Sequence, residues 1–506
     1  MSVLDQPLSK DGAQLPGFAR GPVAVVIVVQ ALILTALSDR YGFHRDELYF
    51  LAAGKRLAWG YVDQPPLTPL VARVATTVFG ESPAGLRVAA TLCGVATVVV
   101  AALISRELGG GRGAQVFTAV ATALSAFVVV VSHILATASI DLVVWVALAW
   151  LTLRLLRTGD GRWWIVIGVV IAIGLSNKWL VPLLLVALAA AVAAVGPRSA
   201  LKGRWPLAGV AIALVLTVPV IVWQARNGWP LLTVANGISA KDGLQNRAMF
   251  VPGQLLFLSP VLVPAIVAGW LRMWREPALR WARCFPLAYL ILCGELLLTG
   301  GKPYYSIPLL IVFLAAGADG SLRALRRMGP RARVGAGAVF AVGAAISLLV
   351  GLPILPPQAL NGPVLAINKE QGEQVGWQSL ASTVAGVWHQ IPAYERQKAV
   401  IFAQNYGEAG AVEYYGPGYG LPQPYSGHMS FYSWGPPLDA MNGPVVVIGE
   451  PNKSSSMLAE FSECRLSAQE NNGYGLDNEE HHTQIWLCSG PIGPWSQIWR
   501  TLRHYY

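Results

Sequence analysis

The chain has 506 residues, of which 54% are hydrophobic and 13% are charged, and its mean hydropathy is +0.50. A soluble domain cannot bury that much apolar surface but a bilayer accepts it, so the composition excludes an ordinary soluble protein. The net charge is +10, yet the basic residues lie in short loops between apolar runs, which argues against a nucleic-acid partner. The five cysteines show no CxxC or Cys/His pattern of structural zinc.

Residues 1–20 are polar, and we expect them to form a cytoplasmic tail. The first apolar run, 21–37, could be taken for a signal peptide, but it is long for that role and its end is a poor cleavage site. Further apolar runs of nearly spanning length follow at roughly 84–104, 114–131, 134–153, 163–178, 179–196, 206–224, 251–271, 284–299, 303–319 and 334–352. The sequence therefore predicts a polytopic α-helical module over 21–353 with about eleven transmembrane helices, although the two runs that meet at Lys178 could also be one segment.

The loops give an orientation. With the N-terminus inside, the inside loops hold seventeen basic residues, in the segments 106–112, 154–162, 198–204, 272–283 and 323–333. Cytoplasmic loops collect Lys and Arg, so this asymmetry predicts a multi-pass protein of the inner (plasma) membrane with a cytoplasmic N-terminus. Eleven crossings would place the C-terminal part outside.

The C-terminal part, 354–506, is expected to be an extracytoplasmic soluble domain of mixed α/β structure. Runs at 398–403 and 444–449 look like short buried strands, and 378–389 and 454–464 look like helices. Cys464 and Cys488 could form a disulfide in an oxidising compartment, or they could remain two free cysteines.

The first outside loop, 38–83, is long and carries many charges. Residues 46–58 fit an amphipathic helix lying at the membrane surface. Asp46 and Glu47 would begin that helix, where acidic side chains suit the helix dipole. These two acids are therefore either helix-capping residues on a wet surface or part of a functional site.

Other charged groups favour the functional interpretation. Asp63 precedes a stiff Pro-Pro turn, and His133 lies at an outer helix junction. Asp141 lies inside an apolar helix, where an ionisable group suggests a function, although a hydrogen bond to a neighbouring helix would also explain it. Lys178 and Lys302 add positive charge at the outer helix ends. An acid that takes a proton and a cation that holds an anion are the parts needed to transfer a group from a phosphate leaving group.

Asp46-Glu47 in this loop, followed by Tyr61-Val62-Asp63-Gln64-Pro65-Pro66-Leu67, resembles the GT-C glycosyltransferases, and within them the branch of protein O-mannosyltransferases and the lipid A aminoarabinose transferase (families 39 and 83). Further stretches agree in order and topology over nearly the whole chain: Gly174 to Lys178, Trp223-Gln224, Asn227 to Pro230, Gly301-Lys302-Pro303-Tyr304-Tyr305-Ser306-Ile307-Pro308, Gln404 to Ala411, Ser426 to His428 and Trp434 to Pro436.

The resemblance implies a polyprenyl-phosphate sugar donor that enters from the membrane lipids, and an acceptor hydroxyl on a glycan, lipid or protein that attacks with inversion. It makes Asp46 the candidate base, with Glu47 as its neighbour or substitute. Asp63 matches an acid that binds a divalent cation in some members, and His133 is a candidate partner for it on chemistry alone. Lys178 and Lys302, with Arg45 behind them, are the candidates for binding the donor phosphate.

One position departs from the family. The aminoarabinose branch tends to have a basic residue before Pro-Pro, where this chain has Gln64, so one expected phosphate contact is missing or supplied elsewhere. Two other functions stay open. A transporter or flippase of lipid-linked sugars would often show internal repeats and helices broken at mid-membrane, which the sequence does not indicate. A scaffold could bind glycan through aromatic residues of the outer domain, whose ordinary explanation is packing. They are Trp377, Tyr414, Tyr415, Tyr419, Tyr425, Phe431, Tyr432 and Trp434.

Overall fold

The computed structural model describes residues 15–450, 454–478 and 480–505. The predicted cytoplasmic tail therefore lies mostly outside the described residues. The helices in the first part of the chain are α1 (Arg20–Leu37), α2 (Arg45–Lys55), α3 (Leu67–Phe79), α4 (Pro83–Glu107), α5 (Arg112–Ala123), α6 (Ala126–His133), α7 (Thr137–Thr158), α8 (Trp163–Leu175), α9 (Val181–Val195), α10 (Arg204–Arg226), α11 (Pro230–Ala248), α12 (Phe250–Leu258), α13 (Val263–Arg275), α14 (Cys284–Thr299), α15 (Ile307–Arg327) and α16 (Pro330–Gly351).

The rest of the chain mixes short helices with strands. The helices are α17 (Pro363–Ile367), α18 (Trp377–Trp388), α19 (Tyr406–Tyr415), α20 (Met429–Ser433), α21 (Ser455–Leu458) and α22 (Trp495–Ile498). The strands are β1 (Val400–Ala403), β2 (Tyr425–Ser426), β3 (Val445–Gly449), β4 (Phe461–Ser462), β5 (Arg465–Gln469), β6 (Gln484–Cys488) and β7 (Gly490–Pro491).

The chain divides into two compact units. The helical unit comprises residues 15–36, 87–228 and 238–352, and the α/β unit comprises residues 37–86, 229–237 and 353–505. The sequence places a domain boundary between residues 353 and 354, and the last segment of the α/β unit begins at Pro353. The first outside loop, which we expected to accompany the transmembrane module, is grouped with the C-terminal residues in the α/β unit.

Each predicted apolar run corresponds to helix. Among the described residues, seven spans are long and apolar enough to cross a membrane, and two bent pairs of helices raise this number to nine. The seven are Arg20–Leu37, Pro83–Glu107, Thr137–Thr158, Arg204–Arg226, Pro277–Thr299, Pro303–Arg327 and Pro330–Gly351. The remaining two predicted runs are α8 and α9, which are apolar but have 13 and 15 residues. The chain is therefore a membrane protein with several spans, and the number eleven stays a prediction.

Two runs predicted as continuous helices are broken. The run at 114–131 is α5 and α6, which meet at 64°, and the run at 251–271 is α12 and α13, which meet at 87°. In the second break Ser259 has a φ of 103° and is followed by Pro260, which cannot donate a backbone hydrogen bond. Hydropathy alone does not reveal these bends, because both sides of each break are apolar.

Close helix crossings in the helical unit are made by glycines. A Cβ on Gly269 of α13 would lie 1.8 Å from the carbonyl oxygen of Phe313, and one on Gly317 of α15 would lie 1.9 Å from that of Ala265. The backbones of α13 and α15 therefore touch, as small residues allow between membrane helices.

A five-stranded sheet in the order β2-β1-β3-β6-β5 forms the centre of the C-terminal part of the α/β unit. β1 is parallel to β2 and β3, whereas β6 is antiparallel to β3 and β5. The core between the sheet and the last helix is aromatic and includes Phe402, Trp486 and Trp495. The two predicted strands are confirmed as β1 and β3, and the predicted helix at 378–389 is α18. The helix predicted over 454–464 is wrong beyond Leu458, because Phe461 and Ser462 pair with β7. Cys464 and Cys488 form the disulfide.

The helix predicted at the membrane surface is buried. In α2 the residues from Glu47 to Gly54 are all buried, because α3 and α19 pack on it within the α/β unit. A Cβ on Gly407 would lie 2.5 Å from Arg45 Cγ, and one on Gly410 would lie 3.0 Å from Leu48 Cβ. These two glycines let α19 lie directly against α2, and this packing positions the acids of the first loop.

Candidate active site

The start of α2 is fixed by a capping box. His44 is the N-cap residue: its Nδ1 accepts a hydrogen bond from the Asp46 backbone N–H at 3.1 Å. In return Glu47 Oε2 accepts from the His44 backbone N–H at 2.8 Å, and Glu47 is fully buried. The sequence left open whether Asp46 and Glu47 cap the helix or belong to a functional site. Glu47 is the acid that caps the helix.

His44 is also held from its other ring nitrogen, since Nε2 lies 2.9 Å from Glu370 Oε2. Burial opposes the charged ring, but the Glu370 hydrogen bond and the carboxylate charges of Asp46 and Glu370 together raise the pKa of His44. Because Nδ1 accepts the hydrogen bond of the helix cap, the ring proton lies on Nε2, where it is donated to Glu370.

Asp46 faces away from the helix cap. Its side chain is 35% exposed, and Tyr406 Oη donates to its Oδ1 at 2.7 Å. Arg45 Nε lies 3.8 Å from the same oxygen. Within the described part of the chain, Oδ2 has no hydrogen-bond partner, so one oxygen is held while the other can receive a proton.

Asp63 lies close to Asp46. We call these two acids and the side chains that contact them the acidic cluster. Tyr49 Oη donates to Asp63 Oδ1 at 2.6 Å, and the Tyr49 ring lies 4.9 Å from the ring of Tyr406. Burial raises the pKa of Asp63 to about 6; the Tyr49 hydrogen bond lowers it, and the charge of Asp46 raises it. Each carboxylate is therefore held by one member of a tyrosine pair. Ser430 supports the pair, since its Oγ lies 2.7 Å from Tyr49 Oη.

Arg45 belongs to this acidic cluster as well. Its Nη1 lies 3.6 Å from Glu373 Oε2, and its guanidinium carbon lies 5.7 Å from the centre of the Tyr406 ring. Its charge thus has two carboxylate neighbours, Asp46 and Glu373, within its own unit. A role in binding the donor phosphate stays a prediction for Arg45.

A second cluster, in the helical unit, contains the two lysines. Tyr304 and Tyr305 have ring centres 4.5 Å apart, and their hydroxyl oxygens are 3.2 Å apart. Lys178 Nζ lies 5.0 Å from the Tyr305 ring and 6.0 Å from the Tyr304 ring, while Lys302 Nζ lies 6.0 Å from the Tyr304 ring. Neither lysine forms an ion pair with a residue that the structure describes. The aromatic faces attract the ammonium groups without neutralising them. Lys178 also has the buried acid Asp141 as an electrostatic neighbour, so Lys302 is the less compensated of the two charges.

Asp141 lies beneath these tyrosines. It is buried, and its Oδ1 has no hydrogen-bond partner among residues 15–450, 454–478 and 480–505. It lines a small cavity of about 10 Å³ together with Trp145, Tyr304 and Tyr305, which is about the room one water needs. The buried acid thus lies beside the lysine and tyrosine cluster, as expected of a functional ionisable group.

His133 does not fit the metal-binding role we considered for it. Its Nε2 lies 3.5 Å from Nη1 of Arg87, and both residues are buried in the helical unit. The guanidinium charge would repel a cation at that nitrogen. In the described segments, no group of three or more His, Cys, Asp or Glu residues could hold a metal ion. Asp63 and its neighbour Asp46 are two carboxylates, each already bonded to a tyrosine, so the described residues do not by themselves complete a metal site.

Comparison with known proteins gives a family-model match over part of the chain and a likeness of fold over nearly all of it. Residues 63–223, which include Asp63, His133, Asp141 and Lys178, match the model of the dolichyl-phosphate-mannose-protein mannosyltransferase family. The crystal structure of ArnT from Cupriavidus metallidurans bound to undecaprenyl phosphate superposes with a TM-score of 0.62 at 16% identity, covering 92% of this chain and 99% of that one.

A second structure of ArnT is also similar to this chain. ArnT from the same organism in the apo state gives a TM-score of 0.57 at 15% identity, with 94% of this chain and all of the other (100%) covered. At such identities the likeness establishes the GT-C fold, with its apolar helices and a C-terminal region containing a mixed sheet. A search of the curated proteins found no match.

Several residues of the acidic cluster were not predicted from the sequence. They are His44, Tyr49, Glu370, Glu373, Tyr406 and Ser430. Tyr406 was within reach of sequence reasoning, since it lies in the stretch from Gln404 to Ala411 that resembles the family. No local pattern links it to Asp46, which is 360 residues away.

Proposed function

We propose that this GT-C protein is a membrane enzyme that transfers a sugar from a polyprenyl-phosphate donor to a hydroxyl of an extracytoplasmic acceptor, with inversion at the anomeric carbon. The observation that carries the proposal is the state of Asp46. It is a partly exposed carboxylate with one oxygen held by Tyr406 and the other without a partner in the described chain.

In the proposed reaction the acceptor oxygen attacks the anomeric carbon and its proton passes to Asp46. The new bond between oxygen and carbon forms as the bond from that carbon to the phosphate oxygen breaks, and polyprenyl phosphate leaves with the electron pair. General base catalysis of this kind contributes about 10²–10⁴-fold to a rate. Tyr406 fixes the direction of the Asp46 carboxylate, and Asp63, held by Tyr49, is its neighbour.

The leaving phosphate needs compensating positive charge, because negative charge develops on it as the bond breaks. Lys178 and Lys302 are the groups we assign to it, since neither is paired with an acid among the described residues. Tyr304 and Tyr305 hold the two ammonium groups against their ring faces and present hydroxyls beside them.

We further propose that the protein lies in the plasma membrane with its N-terminus in the cytoplasm and its α/β unit outside. The seventeen basic residues in alternate loops support this orientation. The disulfide between Cys464 and Cys488 agrees with an oxidising compartment for the α/β unit.

The test of the proposed function is sugar transfer by purified protein in lipid. Radiolabelled polyprenyl-phosphate sugars and the corresponding nucleotide sugars are supplied in parallel with a cell-envelope acceptor extract. We expect product from a polyprenyl-phosphate sugar and none from a nucleotide sugar, with the opposite anomeric configuration in the product by NMR. If no donor is used but the lipid-linked sugar crosses the bilayer of proteoliposomes, the protein is a flippase and the proposal is wrong.

A further inference from the structure

A groove lies at the end of α2 in the α/β unit. Two adjoining cavities of about 640 and 410 Å³ share Lys55, Glu413 and Pro417 in their walls. We call this the tyrosine groove and define it by Lys55, Glu81, Gln378, Glu413, Tyr414 and Tyr419. Its size is that of a ligand pocket, and the proposed mechanism does not use it.

Glu413 gives the groove an unused hydrogen-bond acceptor. Its side chain is 10% exposed, and its Oε1 accepts a hydrogen bond from Arg56 Nη1 at 2.9 Å. Its other oxygen, Oε2, is buried and has no hydrogen-bond partner in the described parts of the chain. Buried polar atoms are nearly always paired, so an unpaired oxygen on a residue of the groove wall calls for a donor, and a ligand that enters the groove can bring one. A hydroxyl group would supply it.

The walls of the groove combine aromatic and amide groups. Tyr414 Oη donates to the backbone oxygen of Glu81 at 2.7 Å, and its ring packs edge-on against Phe43 with centres 4.8 Å apart, so the ring is fixed. Tyr419 Oη accepts from the exposed Gln378 side chain at 3.5 Å. Tyrosine offers an apolar face with a polar edge, and a pocket with a few placed polar groups selects ligands by their hydroxyls.

The charges of the groove cancel. Lys55 Nζ lies 2.9 Å from Glu81 Oε1, and Arg56 is paired with Glu413 at the same distance. Two cations and two anions leave no net field to attract a polyanion or a strongly basic segment. The chemistry that fits is a neutral ligand with many hydroxyl groups and apolar faces, which is that of a carbohydrate.

The groove also lies in line with Asp46. Helices α2 and α19 run side by side: Tyr406 at the start of α19 bonds to Asp46, and Glu413 near its end bonds to Arg56 just after α2. Seven residues of helix at a rise of about 1.5 Å per residue separate Tyr406 from Glu413 by about 10 Å. The groove therefore begins about 10 Å along α19 from the tyrosine that holds Asp46.

From these observations, and resting on the proposed function, we propose that the tyrosine groove binds a neutral oligosaccharide acceptor and that the acceptor of this enzyme is a glycan. The groove holds sugar units of the acceptor that do not react, and the unit that carries the attacking hydroxyl lies towards Asp46. Glu413 accepts a hydrogen bond from a hydroxyl of the bound glycan, and the ring of Tyr419 packs against one of the sugar rings.

Measuring the binding of oligosaccharides tests this proposal and does not require sugar transfer. Full-length protein in lipid nanodiscs is titrated against fluorescently labelled neutral oligosaccharides of hexoses and of pentoses, and against Ser/Thr-containing peptides, with polarisation as the readout. The variants are Tyr419→Ala, Tyr419→Phe and the control Tyr394→Ala, which removes a tyrosine that is 79% exposed and lies outside the groove. Tryptophan fluorescence of each variant checks that it is folded.

We expect at least one oligosaccharide to bind the wild type and also Asp46→Asn. Tyr419→Ala should weaken that binding about tenfold, as loss of an aromatic contact predicts, whereas Tyr419→Phe and Tyr394→Ala should change it little. The proposal is overturned if no oligosaccharide binds, if Tyr419→Ala and Tyr394→Ala behave alike, or if the peptides bind in preference. Failure of the proposed function would show itself separately, as an absence of transfer from any donor while oligosaccharide binding is intact.

Discussion

Replacing Asp63 by asparagine should stabilise the protein at neutral pH. The folded environment raises the pKa of Asp63 from 3.8 to about 6, chiefly through burial of the carboxyl. Between these values the folded chain holds a proton that the unfolded chain has lost, so the free energy of unfolding falls as the pH rises from about 4 to about 6. At neutral pH the whole cost is present, about 3 kcal/mol at 1.36 kcal/mol for each pKa unit.

Asparagine keeps an oxygen for Tyr49 but carries no charge, so Asp63→Asn removes this cost. For a domain the size of the α/β unit, about 1 kcal/mol corresponds to about 2–4 °C in the unfolding temperature. The assay is unfolding in lipid nanodiscs followed by tryptophan fluorescence at several pH values. We expect a gain of several degrees near pH 7.5 that shrinks as the pH falls from about 6 and disappears below about pH 4, where the wild-type carboxyl becomes protonated in the unfolded state as well.

The matched control is Asp39→Asn, which changes an exposed carboxylate of the same loop. It should leave the unfolding temperature unchanged at every pH. A loss of stability in Asp63→Asn at neutral pH, or a gain that does not depend on pH, would contradict this prediction. Either result would show that the buried charge of Asp63 does not lower the free energy of unfolding.

Three further outcomes follow from the same contacts. Tyr406→Phe loses the hydrogen bond to Asp46 and should lower kcat about tenfold with little change in KM, as steady-state transfer assays would show; a change in KM alone would contradict the positioning role. Lys178→Met should weaken binding of polyprenyl phosphate about tenfold or more in a lipid-binding assay, whereas Lys202→Met, in a loop assigned to the cytoplasm, should not. Reducing the disulfide of the α/β unit should cost about 2–4 kcal/mol of its stability, measured by denaturant unfolding with and without reductant, and no effect would show that the bridge is absent.

The helices were predictable because their signal is local. Apolar runs of spanning length predicted most of the helices between residues 21 and 352, but not α3 or α11. The bends between α5 and α6 and between α12 and α13 were missed, because hydropathy measures composition and not the direction of the chain. The prediction that α2 lies at the membrane surface with one face exposed failed for another reason. Both α3 and α19 pack against this helix, and α19 is far along the sequence.

The acidic cluster shows the same limit at the level of single residues. The capping role of Glu47 was readable from its spacing to His44, but His is not among the usual N-cap residues, so the pattern was not recognised. The choice of Asp46 rested on the family resemblance, and the contact with Tyr406 across 360 residues could not be inferred from spacing. Similarly, nothing in the sequence placed His133 beside Arg87, which argues against its use as a metal ligand.

The most direct test of the account is a comparison of wild type with Asp46→Asn for donor binding and for sugar transfer in the same lipid preparation. We predict that the variant binds polyprenyl-phosphate sugar as the wild type does, and that its transfer rate falls by about 10²-fold or more, the share expected of a general base. Transfer at the wild-type rate by a folded Asp46→Asn protein would contradict the assignment of Asp46 as the base.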